Sequence, residues 1–344
     1  PADRREEATV AAPVAGGHRC LVRWLPASSG TTPVSIGPTS SALAAQESTS
    51  AQSVSPLPYL NRRQSLPVTA LNDWVQCPLL FYYRHVAGLA EPPAPLPAGS
   101  TPGAGRGFLA PSEPSFLAPT ERGFLAPTER GTLVHKVLEE VVRRGDDGSA
   151  PLRVAPAEVV LIARTLRLQP TETEAEEMSA GVNRFLASDW GKLARQAQSR
   201  GELWLEQPIG GRIAGLRLSG RIDLAWVAED GRLVIVDYKT DRLGAGGLQA
   251  VADGYRLQAG AYATLAPDVF GRPLAGVLLA FVDAGEEVWL PAGGEALAKV
   301  QAELVAAAGV IGEAAGEADF RPEPRHCKRC SFSAYCPSSS TFGA

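Results

Sequence analysis

The sequence predicts an α/β protein: a mixed β-sheet flanked by helices, with helical insertions and a cysteine-rich C-terminal segment. Three observations predict it. Short runs rich in apolar and β-branched residues recur between 202 and 239 and between 275 and 290, separated by polar turns. Helix-periodic stretches at 248–265 and 295–315 alternate with those strands, the order of a helix-flanked mixed sheet. Two more helical stretches, one beginning at Gly131 and one following Thr171, precede the first long strand and read as insertions.

The elements follow in order. Residues 1–66 are rich in Pro, Ser, Ala and Thr and read as a linker or the tail of a preceding domain, with Cys20–Leu25 as a short strand. The chain begins at Pro1 rather than Met, so it is expected to be a piece of a longer polypeptide. The main domain is expected over 67–337, with 338–344 as a tail. Leu71–Val86 carries a helical apolar stripe, and Cys77-Pro78 inside it starts or bends a turn. Residues 91–130 are rich in Pro and Gly. They hold three copies of an octapeptide, Gly107-Phe-Leu-Ala-Pro-Ser-Glu-Pro, Ser115-Phe-Leu-Ala-Pro-Thr-Glu-Arg and Gly123-Phe-Leu-Ala-Pro-Thr-Glu-Arg. Proline in every copy excludes a continuous helix, and three short copies cannot build a solenoid, so the segment reads as a flexible insertion.

Order is expected to return at Gly131. Val134, Val137, Leu138 and Val141 recur at helical spacing, and Arg143, Arg144 and Gly145 are stop signals. Thr171 and Glu174 form a capping box for a helix running to about Gln198. Strands are expected at Glu202–Glu206, Arg212–Ser219, in a hairpin at 220–239, and at Ala275–Val282 and Glu287–Leu290. Helices are expected at Leu248–Leu265 and Glu295–Ala315, and 320–344 reads as a cysteine-bearing loop.

Composition limits the function. Hydrophobic residues make up 45% of the 344 and charged residues 20%, as in a soluble globular protein. The net charge of −4 offers no overall attraction to nucleic acid, so any such binding needs a local basic groove. No run of about eighteen apolar residues predicts a membrane span, and no signal-peptide core follows the start. Five cysteines, Cys20, Cys77, Cys327, Cys330 and Cys336, are too scattered for a disulfide framework. With no export signal, the reducing cytoplasm is the expected location.

The 220–239 hairpin carries the chemistry. Asp223 lies seven residues before Asp230 and Asp237 seven after it. If 229–231 form the loop, Ala228 pairs with Arg232 and Asp223 falls opposite Asp237. Lys239 shares the face of Asp237 because side chains alternate along a strand. Two carboxylates side by side repel unless a cation lies between them, and hard oxygen donors suit Mg²⁺ or Mn²⁺. That is the equipment of metal-assisted phosphodiester cleavage. The hairpin alone is equally compatible with a solvated surface ion pair. His135 beside its helix's apolar stripe is a boundary residue or a ligand. Gln258 and Tyr262, one helical turn apart and extended by Tyr255, are a half-buried polar face or a wall that hydrogen-bonds a phosphate backbone. Glu206 is an exposed strand residue or an auxiliary acid.

Taken in order, Gly131-x-x-x-His135, Gly220-x-x-Asp223, Asp237-Tyr-Lys239 and Gln258-x-x-x-Tyr262 resemble the RecB-type branch of the PD-(D/E)XK nuclease superfamily, over roughly residues 70–337. The resemblance implies a restriction-endonuclease-like core. It implies that His135, Asp223, Asp237 and the Tyr238 carbonyl hold Mg²⁺ or Mn²⁺, that Lys239 orients the attacking water, and that Gln258 and Tyr262 support the site near the substrate backbone.

Cys327-x-x-Cys330-x-x-x-x-x-Cys336-Pro337 has metal-binding spacing, which cannot separate zinc from iron–sulfur. Four reduced thiols remain a further alternative, with Cys77 the candidate fourth member. Cys77-Pro-x-x-Phe81-Tyr82 resembles the segment that opens the iron–sulfur members of the same branch, AddB and AdnB. That resemblance implies a structural [4Fe–4S] cluster on Cys77, Cys327, Cys330 and Cys336, clasping the ends of a loop of about 250 residues. His326 reads as a neighbour and Cys20 as an ordinary thiol. The function implied is a Mg²⁺-dependent deoxyribonuclease, an exonuclease on single-stranded DNA ends in repair and recombination, coupled to a helicase domain or subunit. The chain has no Walker A motif, so such a motor lies elsewhere. The alternatives are a non-catalytic DNA-binding module of a helicase–nuclease complex and a stand-alone exonuclease of the CRISPR-adaptation type.

Overall fold

The computed structural model describes residues 65–91, 124–145, 152–244 and 246–339. Cys20–Leu25 and the first two octapeptide copies lie outside these residues. The framework is a six-stranded mixed sheet. Strands β2 (Leu203–Ile213) and β3 (Leu216–Val227) make one long antiparallel hairpin, with Ile213 paired to Leu216 and the turn at Ala214-Gly215. The sequence predicts separate strands at Glu202–Glu206 and Arg212–Ser219; the structure runs β2 on to Ile213 and puts the turn inside the second of them. β2 pairs only with β3, so Pro208 sits on an edge strand that can spare an N–H.

On its other side β3 meets two partners. The two-residue strand β1 (Leu66–Pro67) runs parallel to Leu218–Ser219, and β4 (Leu233–Lys239) runs antiparallel to 224–227. Leu66 therefore belongs to the sheet, not to the linker. Ala228 N–H donates to the Arg232 carbonyl at 2.8 Å and closes the β3–β4 turn. β4 continues in parallel to β5 (Leu274–Phe281), which pairs antiparallel with β6 (Glu286–Pro291). β3 and β4 part beyond Leu224–Val236, so residues 220–223 have no ladder partner on that edge. This opening positions the candidate site.

Alternation along the strands builds two cores. Leu233, Ile235, Val277, Leu279 and Phe281 face one side of the sheet, with α1 (Ala70–Gln76), α2 (Pro78–Phe81), α8 (Arg256–Phe270) and α9 (Glu295–Glu313). Val234, Val236, Tyr238, Leu278, Ala280 and Val282 face the other, with α3 (Pro127–Arg144), α4 (Pro156–Thr165), α5 (Glu172–Ala187) and α6 (Asp189–Ser199). α7 (Gly247–Asp253) precedes α8, and the break at Gly254-Tyr255 interrupts the single helix expected over 248–265.

Local signals explain most boundaries. α3 starts inside the third octapeptide copy, four residues before Gly131: Pro127 opens it, and Ala126 N–H donates to Glu129 Oε2 at 2.8 Å. The Thr171–Glu174 box is formed in both directions, at 3.2 and 2.9 Å. Ser188 then ends α5 and caps α6 through Gly191 N–H, splitting the helix expected to run through to Gln198. At Cys77 the backbone is extended (φ −166°, ψ 118°), which separates α1 from α2 as the following proline requires. α4 has no counterpart in the sequence reading.

The C-terminal segment returns to α1 and α2. Phe320 lies between Trp74, Phe81 and Tyr82, and Phe332 packs on Tyr83. Gly276 in β5 is demanded by packing: a Cβ there would lie 2.5 Å from the Leu290 carbonyl oxygen and 2.5 Å from the Trp289 ring. Gly276→Ala is expected to cost about 1–3 kcal/mol in urea denaturation, by overpacking against backbone that cannot move aside.

Candidate active site

The β3–β4 ladder ends at Leu224–Val236, so the next residues outward, Asp223 and Asp237, continue its register where the strands part. The backbone N–H exposed by that parting, on Tyr238, donates to Asp223 Oδ2 at 2.7 Å. Asp223 Oδ1 lies 3.2 Å from Nδ1 of His135 on α3, whose Nε2 is 3.1 Å from the Tyr238 carbonyl. Asp237 and Lys239 share the α8 face of β4, and Lys239 Nζ is 2.7 Å from Asp237 Oδ2. The ammonium also donates to Gln258 Oε1 at 3.1 Å and lies 4.0 Å from the centre of the Tyr255 ring, an additional cation–π contact. Gln258 Nε2 donates to Asp237 Oδ1 at 3.3 Å and to Tyr262 Oη at 3.1 Å; Tyr262 in turn donates to the Arg221 carbonyl at 2.8 Å. The structure thus brings together all six side chains singled out from the sequence, and the Tyr238 carbonyl with them.

These groups line a cleft of ≈ 1460 Å³, together with Asn72, Phe124, Arg130 and Arg242. Asp223 and Lys239 are each 8% exposed and Asp237 only 2%. A solvated surface ion pair is therefore excluded. Asp237 Oδ2 is buried and is met by the Lys239 ammonium at 2.7 Å. Two buried carboxylates against one ammonium leave the cleft short of positive charge, which favours a further cation.

The electrostatics point the same way. Burial pushes the Asp237 carboxyl up to about 6 even though Lys239 opposes the shift, and Asp223 adds to it. Burial works to lower the His135 imidazole, but the Asp223 carboxylate outweighs it and holds the ring above its ordinary value. Glu206 is also raised, by burial and then by Asp223 and Glu139. Its sequence reading left it open as strand residue or acid. In the structure its backbone turns to φ 51°, and its carboxylate, the His135 ring and Asp223 have ligand atoms within 4.8 Å of one another. Nothing in the strand pattern signals that turn, because Glu206 reads as the end of a short strand.

A site short of one positive charge has a measurable consequence. Asp237 and His135 both titrate higher folded than unfolded, so each contributes stability that is present at low pH and lost as pH rises through its folded pKa. In chelator the protein is expected to lose stability as pH rises from about 4 to about 7. Mg²⁺ should then raise the melting temperature more near pH 7 than near pH 5, because the cation must displace protons. An equal shift at both pH values would contradict the assignment. Asp223, Asp237 and the Tyr238 carbonyl offer hard oxygens and His135 a nitrogen, a donor set that fits Mg²⁺ or Mn²⁺.

The second predicted centre lies behind α1. Cys77, Cys327, Cys330 and Cys336 all line one small cavity with Leu79, Leu80 and Tyr83. Glu323 N–H donates to Cys77 Sγ at 3.3 Å, and the other three cysteines each push the Cys330 thiol up, after burial. The sulfurs are not gathered tightly: among the described residues, His135, Glu206 and Asp223 alone form a trio with ligand atoms within 4.8 Å. No described helix is long and apolar enough to cross a membrane.

No curated protein matches the sequence. Among solved structures, a candidate exonuclease from Eubacterium rectale aligns over 79% of this chain and 90% of its own, with 11% identity and a TM-score of 0.45. A second structure, SSO0001, aligns over 60% of this chain and 95% of its own, with 18% identity and a TM-score of 0.28. Neither overlap is close enough to carry an argument. A sequence profile does: residues 65–337 match that of the PD-(D/E)XK nuclease superfamily. With a helix-flanked mixed sheet and its acidic cleft at the parting of β3 and β4, this chain belongs to the PD-(D/E)XK nuclease superfamily.

Proposed function

We propose that this chain is a divalent-cation-dependent deoxyribonuclease that hydrolyses phosphodiester bonds at single-stranded ends. In this reading His135, Asp223, Asp237 and the Tyr238 carbonyl hold the cation. One observation supports it: two buried carboxylates, an imidazole and an ammonium converge on one cleft, with one ammonium facing two acids. When bound, Mg²⁺ or Mn²⁺ supplies charge to a phosphate oxygen and acidity to a water. Lys239, steadied by Gln258 and the Tyr255 ring, offsets charge developing at phosphorus and orients the attacking water. Gln258 and Tyr262 hold that lysine and Asp237 in place.

Arg221 and Arg242 on the cleft wall suit a phosphate backbone, and the exposed Phe124 ring offers a stacking face for an unpaired base. We read the four cysteines as ligands of a structural [4Fe–4S] cluster. Their common cavity supports one shared centre, and the resemblance of the Cys77-Pro segment is the ground for a cluster over zinc. We place the domain beside a helicase motor in the repair of DNA ends, on the strength of its resemblance to AddB-like chains.

The test offers the purified protein linear single-stranded DNA, duplex DNA and RNA, each with Mg²⁺ and with chelator. Chelator-sensitive cleavage of the single strand is expected. Mg²⁺-independent binding without turnover would make the chain a non-catalytic module, and preference for RNA would overturn the substrate.

A further inference from the structure

We propose that Asn72 is a positioning residue for this centre: it fixes the orientation of the Gln258 amide and through it the Lys239 ammonium. The proposal rests on the reading of Lys239 and Asp237 given above. The argument begins with Gln258, which is 2% exposed and has an oxygen end and a nitrogen end of nearly the same size. Its work requires one orientation. Oε1 must face the Lys239 ammonium and Nε2 must face Asp237 Oδ1, because the reverse sets donor against donor and acceptor against acceptor.

Asn72 supplies an independent constraint from another element. Its Nδ2 donates to Gln258 Oε1 at 2.9 Å, shorter than the 3.1 Å from Lys239 or the 3.3 Å from Gln258 to Asp237. On the far side, Tyr262 donates to the Arg221 carbonyl, so its oxygen is left to accept from Gln258 Nε2. The amide is thus held at both ends by groups that are not themselves charged. Asn72 is held in turn at a cost to itself, since its Oδ1 is buried without a partner on the side of the cleft. Turning the Asn72 amide over would satisfy neither residue, as it would bring Oδ1 against Gln258 Oε1. Sequence reading passed over Asn72 because its partner Gln258 lies 186 residues away, and an Asn on a short helix is usually a solvated residue.

The test compares Asn72→Ala with wild type in two backgrounds and by two measurements. If Asn72 acts through Gln258, Asn72→Ala lowers kcat about 10-fold with KM for DNA unchanged, but lowers it less than about twofold further when Gln258→Ala is already present. An equal fall in both backgrounds, or no fall in the first, overturns the proposal. The second measurement does not depend on turnover. The side-chain amide resonances of Gln258, identified by their loss in Gln258→Ala, are expected to shift or broaden in Asn72→Ala while backbone resonances of the sheet stay in place. Unchanged Gln258 resonances overturn the proposal even if wild type cleaves DNA. Shifted resonances in a wild type that cleaves nothing would sustain Asn72 and refute the nuclease reading instead.

Discussion

Asp237→Asn is expected to abolish cleavage, lowering kcat by about 10³-fold or more while leaving DNA binding nearly intact. Removing one ligand of a catalytic cation forfeits on the order of 4 kcal/mol of transition-state stabilisation, which is about a thousandfold. The stability of the variant separates this from unfolding. Asp237 is 2% exposed and pairs with Lys239 at 2.7 Å, so the neutral amide sheds one buried charge and leaves another unpaired. The cation-free variant should melt cooperatively, lower than cation-free wild type, and should gain nothing from Mg²⁺. Lys239→Met is expected to lose about 10²–10³-fold in kcat, as when one charge-stabilising donor is removed. It also leaves Asp237 buried beside no cation, at a cost of about 3–5 kcal/mol. The double variant Asp237→Asn/Lys239→Met should regain most of that stability and remain inactive. Recovery of activity along with stability would show that the pair only holds the fold.

Loss of the proposed four-cysteine centre is expected to be the second large effect. Held by one centre, Cys77 and Cys327 would close a loop of about 250 residues, and a cross-link of that span removes about 5 kcal/mol of chain entropy from the unfolded state. Cys327→Ser or Cys336→Ser is therefore expected to drop the melting temperature by ten degrees or more, from about 5 kcal/mol lost in a domain of this size. The C-terminal segment should not detach altogether, because Phe320 and Phe332 are still packed on Trp74, Phe81, Tyr82 and Tyr83. Activity should fall as well, since Cys77 ends the helix that carries Asn72 and loosening it frees the Gln258 contact. Anaerobically purified protein should be brown and hold about four iron atoms, the content of one [4Fe–4S] centre. Colourless protein with one zinc would replace the cluster, and metal-free protein of unchanged stability would remove the clasp.

The hairpin was legible because every local signal agreed. A polar turn at 229–231, apolar alternation on both sides and equal spacing of Asp223 and Asp237 about Asp230 leave one register, and Leu224–Val236 and Val227–Leu233 adopt it. His135 and Gln258 were legible as members of an ordered motif. Their partners were not, since the Tyr238 N–H that binds Asp223 is freed only where β3 and β4 part. The β2–β3 hairpin was misread: its turn at Ala214-Gly215 falls inside the strand expected over 212–219, and Pro208 and Gly211 are poor strand formers in general. Here Pro208 is tolerated on an edge, and a Cβ at 211 would lie 2.6 Å from Leu265 on α8. Both reasons are tertiary. Glu206 was left open and Asn72 was missed for the same cause: one is turned inward by an unusual backbone angle, the other brought in by packing of α1 against α8.

The most direct test is Mn²⁺ binding, followed by electron paramagnetic resonance of the free ion, for wild type, Asp223→Asn and Asp237→Asn. One tight site in wild type, lost in both variants whose circular dichroism is unchanged, is the predicted result. Equal Mn²⁺ binding by all three proteins, or none by wild type, would contradict the assignment of this cleft as the cation site of a nuclease.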